Sequence, residues 1–570
     1  PGRNKSFWGL RGFFQKAPEQ NPDNTPAIPA KKGEEIDRDA PTGYTGRQKW
    51  IGGYSMLTQN WKRLKSGTDV RGTALSEDNG PIDLTDEVVQ RIAKGFVRWL
   101  AEYTGRDVSS LKIAVGRDSR LSGPRIAGAV SEALASCGVQ VLDCGMASTP
   151  AMFMTTVDLG CDGSVQITAS HHPFDRNGLK FFCAVSETRI SGGLEGAEIE
   201  EILQYAQDEA FVAGSTTGRI EKADYMPQYA VGLRRRICDA LGSSEQERPL
   251  AGMHIVVDAG NGAGGFYASQ VLEPLGADVS GSQFLEPDGR FPNHIPNPEN
   301  EEAMASVCGA VTAAKADLGI IFDTDVDRAG CVDAAGREIN RNRLVALASA
   351  IVLEQYPGGT VVTDSITSDG LKVFIEQVLG GVHCRFKRGY RNVIDEAIRL
   401  NQAGISAPLA IETSGHAAIK DNYFLDDGAY LMTLVVIKAM QLRKEGKTID
   451  DLLSDLPEPL EGKELRFAIT VPDFHTYGEQ VLAGLETYAA QQGWPLAPDS
   501  REGVRVIFDQ EHGDGWALLR LSVHDPVMPL NIESNRPFGC RGIAEQLAGY
   551  LTAQKGLDCR QLEKYLESRR

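Results

Sequence analysis

The run Leu318-Gly319-Ile320-Ile321-Phe322 breaks directly into Asp323-Thr324-Asp325-Val326-Asp327-Arg328, and this join decides how the rest of the chain is read. Five residues without a polar side chain match a short buried strand, and the polar break marks the loop that the strand delivers. Three carboxylates at alternate positions can turn toward one hard cation, which takes oxygen ligands. A calcium EF-hand shares the D-x-D-x-D spacing but needs glycine sixth and glutamate twelfth. Those positions are Arg328 and Ala334, and a strand rather than a helix leads in. Without a cation, three aspartates at the end of a buried strand would repel one another, so the loop reads as a metal site rather than a solvated acidic turn.

The same join recurs along the chain. LKIAV (111–115) precedes Gly116-Arg117-Asp118-Ser119-Arg120, and SVQIT (164–168) precedes Ala169-Ser170-His171-His172-Pro173. HIVVD (254–258) precedes Ala259-Gly260-Asn261-Gly262, and APLAI (407–411) precedes Glu412. Stretches of helical period lie between them, such as EVVQRIAKGFVRWLAEY (87–103) and RIAGAVSEALASC (125–137). Strands alternating with helices indicate α/β layers, and the loops after strand ends are where such sheets place ligands. At 570 residues the chain exceeds one core, and its length suggests about four domains. Boundaries are expected near 225, 355 and 458. The last segment differs: short strands (LRFAITV, VRVIF, WALLRLSV) and two helices suggest a small α+β domain.

Composition narrows the class. The net charge of −18 argues against a nucleic-acid partner, and no apolar run reaches the roughly 18 residues that span a bilayer. Ten scattered cysteines without a C-x-x-C pair read as reduced thiols. Residues 1–66 carry twelve Lys/Arg against six Asp/Glu, so the body beyond them is more acidic still. A body of that charge must concentrate positive side chains locally to handle an anion. Residues 1–60 form an extension without sustained period, expected to be partly irregular. In it Phe7, Trp8, Leu10, Phe13 and Phe14 alternate with Lys5, Arg11 and Lys16. That pattern suits contact with a protein partner or membrane surface, or packing of a loose tail on its own domain, since Gly9 and Gly12 weaken any helix.

Ser170 is the second chemical feature. Serine commonly caps helices or closes turns, and no Gly-x-Ser-x-Gly elbow points to a hydrolase. A serine presented at a strand end, with Lys180 ten residues on, can instead carry a phosphoryl group, whose oxygens would add a ligand to the metal.

TASHHP (168–173), DTDVDR (323–328), ETSGH (412–416) and RLSVHDP (520–526) occur in the order of the four signature loops of the α-D-phosphohexomutase superfamily. Its members typically show TASHNP, DGDxDR, GExSGH and RxSNTEP. SGTDVRG (66–72), GRDSRLSG (116–123) and PDGRFPNHIPNPEN (287–300) match as well, so the chain resembles that family from residue 66 to about 552. The resemblance implies a heart-shaped, four-domain α/β molecule, three related mixed α/β domains and a C-terminal α+β domain. In this chain these would be 61–225, 226–355, 356–458 and 459–570. It implies a phosphorylated Ser170 that donates to the sugar, giving a hexose 1,6-bisphosphate whose other phosphate returns to the serine. Asp323, Asp325, Asp327 and the phosphoserine would hold Mg²⁺. Lys180 is the candidate general base and acid, with Arg71 and His416 as alternatives. Arg117 and Arg328 would flank the phosphoserine, and Glu412 and Ser414 would grip sugar hydroxyls. Lys387, Arg520, Ser522 and His524 would hold the phosphate that is not reacting.

The departures concern affinity more than chemistry. His172 stands for Asn, Thr324 for a flexible Gly, and Val523-His524-Asp525 for Asn-Thr-Glu. TASH with SGH resembles the phosphoglucomutase/phosphomannomutase branch more than phosphoglucosamine mutase, although Thr413 matches neither. The substrate class is then a phosphorylated hexose, with glucose 1,6-bisphosphate as activator. Phosphoglucosamine mutase and a degenerate mutase serving as an assembly subunit are the competing readings, the second opposed by the intact Ser170 and aspartates; a phosphatase is a third, since a mutase that loses its bisphosphate before return behaves as one. The basic extension and a resemblance to plant plastid members suggest the plastid stroma, and otherwise the cytoplasm.

Overall fold

The computed structural model describes residues 56–570, apart from 78–79, 187–188, 523–524 and 569–570. The extension, whose reading above covers residues 1–60, lies almost entirely outside the described residues, as does His524. Four sheets follow one another along the chain. The first holds β1 (Lys65–Ser66), β2 (Asp69–Thr73), β3 (Lys112–Arg117), β4 (Gln140–Met146), β5 (Gly163–Ile167), β6 (Arg176–Cys183) and β7 (Ile220–Lys222). Their order is β1-β2-β6-β5-β3-β4-β7. The second holds β8 (Ile255–Asp258), β9 (Leu318–Phe322), β10 (Ala329–Asp333) and β11 (Glu338–Ile339), ordered β11-β10-β9-β8. The third holds β12 (Thr360–Thr363), β13 (Val382–Arg385), β14 (Leu409–Ile411), β15 (Ala417–Ile419) and β16 (Leu425–Asp426), ordered β13-β12-β14-β15-β16.

These three sheets share one plan. Parallel strands run up to β5, β9 and β14, and each of those turns back through a hairpin into an antiparallel neighbour, β6, β10 and β15. Strands β5, β9 and β14 are buried throughout, as strands covered on both faces are. The fourth sheet is wholly antiparallel: β17 (Glu461–Ile469), β18 (Val504–Phe508), β19 (Gly515–Leu519), β20 (Val527–Ser534) and β21 (Leu557–Asp558), ordered β18-β19-β20-β17-β21. Here Leu465, Phe467 and Ile469 alternate with exposed residues, the signature of a sheet with one wet face. The expected C-terminal α+β unit is present, with two corrections. Strand β20 lies centrally although Pro529, with no N–H to give, argues against a central strand. A third helix, Arg560–Glu567, follows the two that the period shows.

Helix Asp86–Thr104 shows how local sequence sets these layers. Thr85 caps it by accepting the Val88 N–H, Asp86 and Glu87 sit at its positive end, and Gly105 ends it at φ 66°. Val89, Ile92, Ala93, Phe96, Val97 and Leu100 form its buried stripe. Gly95 lets helix Gly196–Gln207 lie against it, since a Cβ there would meet the Ile202 carbonyl oxygen at 2.6 Å. The Phe96 ring packs 4.8 Å from Phe181 and 6.1 Å from Trp99. Phe96→Ala empties the centre of this core and is expected to cost about 3–5 kcal/mol. Urea unfolding followed by far-ultraviolet circular dichroism checks it.

Candidate active site

The three hairpin loops that the shared plan creates, 168–175, 323–328 and 412–416, carry the site. Strands β2 and β6 add Arg71 and Lys180 from the first sheet.

Ser170 is buried with φ 49°, the left-handed region that a serine seldom adopts. Such a residue costs of order 1–3 kcal/mol unless its surroundings fix it. Here Arg120 does so. Its guanidinium donates to the Ser170 carbonyl, to His172 O at 2.6 Å, to Pro173 O at 2.7 Å and to Arg176 O at 2.9 Å. Asp118 pairs with the same guanidinium at 3.3 Å and accepts the Arg120 N–H. Phe291, from the 287–300 loop, covers the cation at 5.3 Å. The Ser170 N–H donates to Thr168 Oγ1 at 2.8 Å. So held, the Ser170 hydroxyl donates to Asp323 Oδ2 at 2.8 Å and accepts from Arg328 Nη2 at 3.2 Å.

Arg328 also donates to His171 Nδ1 and to Asn297 Oδ1. Burial and the Arg328 charge push the His171 pKa down to about 2, so its ring is a neutral acceptor; burial and Arg71 bring His172 to about 4.

Asp323, Asp325 and Asp327 place one carboxylate oxygen each within 4.8 Å of one another. Burial, with Asp327 and Asp325 beside it, holds the Asp323 carboxyl well above the usual range. Burial and Asp327 also push Asp325 upward, but Lys180, Thr149 and Arg71 outweigh them and hold it low. Asp327 is likewise held low against burial, chiefly by Lys180 and His416. The Lys180 ammonium pairs with Asp327 and lies 3.3 Å from Asp325, and these charges raise it well above its ordinary value despite burial. Oδ1 of Asp325 and Oδ1 of Asp327 are both buried without a hydrogen-bond partner. Two orphaned anionic oxygens beside a third carboxylate fit a hard divalent cation.

The Thr324 substitution brings no backbone strain, because the loop's positive φ falls at Val326, at 69°, although the Thr324 hydroxyl is buried without a partner. Gly262 permits the close approach instead, since a Cβ there would meet Thr324 O at 2.5 Å. The Asn261-Gly262 turn is therefore a packing turn under the aspartate loop.

On the third sheet, Glu412 accepts from the Gly389 N–H at 2.6 Å and from Ser414 Oγ at 3.2 Å. Burial and Asp364 raise its pKa. Thr413 does not share this grip: its hydroxyl donates to Asp364 Oδ2 at 2.7 Å. His416 holds Asp426 Oδ2 at 2.5 Å through Nδ1, and against the cost of burial that carboxylate raises it to about 9.

Toward the fourth sheet, Lys387 is exposed while its neighbour Arg388 is drawn inward, 3.3 Å from Glu299. Arg520 is half-buried with Nε unpartnered, and burial and then Arg388 lower its pKa. Ser522 closes the turn by accepting the Asp525 N–H at 3.3 Å.

The structure thus gathers Ser170, Arg328, the three aspartates, Lys180, Arg71 and His416. It does not bring Arg117 to the serine. That side chain leaves the end of β3 over the start of helix Gly123–Ser136, where a Gly123 Cβ would lie 3.2 Å from Arg117 Cδ. Arg120 takes the position beside the loop. Sequence reading passed over Arg120, Arg388, Glu299 and Asp426; the GRDSRLSG match was the available signal for Arg120.

Sequence models described as phosphoglucomutase/phosphomannomutase, alpha/beta/alpha domains I, II and III match residues 62–209, 235–336 and 340–460. A phosphoglucomutase of Neisseria gonorrhoeae is 31% identical over 456 residues, 79% of this chain and 90% of the relative. A phosphomannomutase/phosphoglucomutase of Pseudomonas aeruginosa is 31% identical over 425 residues, 74% of this chain and 83% of the relative. The crystal structure of a phosphoglucomutase/phosphomannomutase family protein from Burkholderia thailandensis matches with a TM-score of 0.69 at 27% identity, covering 88% of this chain and 98% of that one. Fold and site together define a phosphohexomutase. The chain belongs to the phosphoglucomutase/phosphomannomutase family.

Arg120→Ala removes one partner of a buried pair and strands the loop carbonyls, so a stability loss of about 3–5 kcal/mol is expected. Phosphate loading of Ser170 should fall in parallel. Thermal unfolding and intact-mass analysis measure the two.

Proposed function

We propose that the chain moves a phosphoryl group between the 1- and 6-hydroxyls of glucose or mannose, through phospho-Ser170 and a hexose 1,6-bisphosphate. The observation that carries this reading is the Ser170 hydroxyl, held against Asp323 at 2.8 Å while Arg328 donates to the same oxygen. His171 Nδ1 also lies 3.3 Å from the Ser170 hydroxyl, but it accepts from Arg328, so a serine between the carboxylate cluster and the guanidinium suits carrying a phosphoryl group better than attacking an ester under a histidine base.

Asp323, Asp325 and Asp327, with the serine-borne phosphate, would hold Mg²⁺, which when bound offsets charge on the transferring group. The chain's own residues do the rest. Arg328 holds the serine oxygen and balances negative charge there. Lys180 is placed first as the proton carrier for the sugar hydroxyl, with Arg71 and His416 as alternatives. Glu412 and Ser414 present acceptor and donor to sugar hydroxyls. Arg520, Lys387 and Ser522, joined by Arg388, hold the distal phosphate, and glucose 1,6-bisphosphate reloads a serine that has lost its own. Domain boundaries near 225, 355 and 458 belong to this reading.

Among the described residues no helix is long and apolar enough to cross a membrane, and the ten cysteines are free thiols. The basic residues 1–66 favour the plastid stroma in this reading, and otherwise the cytoplasm; the free thiols suit either.

Ser170→Ala should lower turnover of glucose 1-phosphate and mannose 1-phosphate by at least about 10³-fold, as loss of a covalent nucleophile does. A coupled assay with and without glucose 1,6-bisphosphate reads this, and mass analysis should find about one phosphate (~80 Da) on the unaltered chain only. A fully active Ser170→Ala enzyme would end the mechanism.

Asp325→Asn should weaken Mg²⁺ binding at least about tenfold, the loss that even an outer-shell change brings. Calorimetric titration measures it without reference to activity.

A further inference from the structure

The side chains assigned to proton transfer come from two different sheets: Arg71 and Lys180 from the first, His416 from the third. Whichever of them carries the proton must meet the sugar hydroxyl beside the other two, and a misplacement of about 1 Å at such a site costs on the order of 100-fold in rate. Something must therefore set the register between the sheets at this point.

Tyr390 stands there. It is the first residue of helix Tyr390–Gln402, directly after Gly389, whose N–H is bound by Glu412. Its hydroxyl lies 2.7 Å from Thr68 Oγ1, in the turn between β1 and β2, 322 positions away in sequence. Its ring stacks on the His416 imidazole, with centroids 5.0 Å apart and planes 24° from parallel. The Lys180 ammonium lies 5.9 Å from the same ring centroid, within cation–π range. Thr68 adjoins Asp69, which pairs with Arg71 at 2.7 Å, and Arg71 donates onward to Thr168 O, two residues before Ser170.

We infer that Tyr390 is a positioning residue: its hydroxyl ties the third sheet to the first through Thr68 while its ring contacts both the His416 imidazole and the Lys180 ammonium. The tie is not what keeps the two units together. Arg391, next in the chain, donates to Ser191 Oγ of the first unit at 3.0 Å and remains when the Tyr390 hydroxyl is removed. The hydroxyl pair therefore sets register rather than cohesion. The inference rests on the proton-transfer roles given above to Lys180, Arg71 and His416.

A double-mutant cycle tests it on the full chain with saturating glucose 1,6-bisphosphate. Tyr390→Phe keeps the ring and loses the hydroxyl; Thr68→Val keeps the shape and loses its partner. Each should lower kcat about fivefold, the scale of one hydrogen bond, with KM for glucose 1-phosphate within about twofold of its starting value. The double variant should be no slower than either single one, because both remove the same contact. Thr68→Ser, which keeps a hydroxyl, should recover most of kcat. The melting temperature and the phosphate loading of Ser170 should stay as they were. Multiplicative loss in the double variant, unchanged kcat in both single ones, or a melting temperature that falls in step with kcat overturns the inference. An active Ser170→Ala enzyme would overturn the phosphoserine reading instead, and the cycle would not be needed to see it.

Discussion

A single buried guanidinium holds the chemistry in place. Arg120 spends its four terminal N–H groups on four carbonyls of one loop, so every turn of residues 170–176 is fastened to a fixed point. Because the cation is fully buried it needs an anion, and Asp118 supplies it from the same strand end. The left-handed backbone of Ser170 then persists, and its hydroxyl reaches Asp323 across an interval of 153 residues. Without the brace, the loop would relax toward ordinary turn geometry and the serine would lose its place between Asp323 and Arg328.

The second constraint is electrostatic. Three buried aspartates in six residues would be unfavourable alone, yet the chain surrounds them with Lys180, Arg328 and Arg71, each from a buried position. In the proposed mechanism the cations would also serve the reaction, since a phosphoryl group arriving at Ser170 would meet positive charge already in position. Burial makes each of these charges count for more than it would in water.

Much of this was legible in the residues. Continuous apolar runs ending in polar loops foretold the buried parallel strands, because period and burial are written directly in side-chain type. Ser170, the aspartate triad, Glu412 and His416 were legible because each sits at such a strand end. Arg120 and Asp426 were harder to see: their partners are backbone carbonyls and an imidazole, and an arginine that braces a loop looks in sequence like one that binds a ligand. Arg117 is the converse case, since its Nη1 donates to Asp118 O. Arg388 was passed over for Lys387 because one residue's shift along a loop decides which side chain turns inward. Strand β20 was hidden by Pro529, which is paired with Arg466 of β17 but lies beyond the last residue paired with β19.

The hairpin loops that form the site belong to three different sheets, and that division governs the order in which the molecule gains its properties. Strand pairs within each sheet lie closer in sequence, whereas the contacts Ser170 to Asp323 and Thr68 to Tyr390 close intervals of 153 and 322 residues. Contacts of high sequence separation carry the larger loop-closure cost and form late, and the loops that make them open at lower free energy than the cores do. Catalytic competence is thus the last property this chain acquires as it folds and the first it gives up under mild stress, while its secondary structure is still intact.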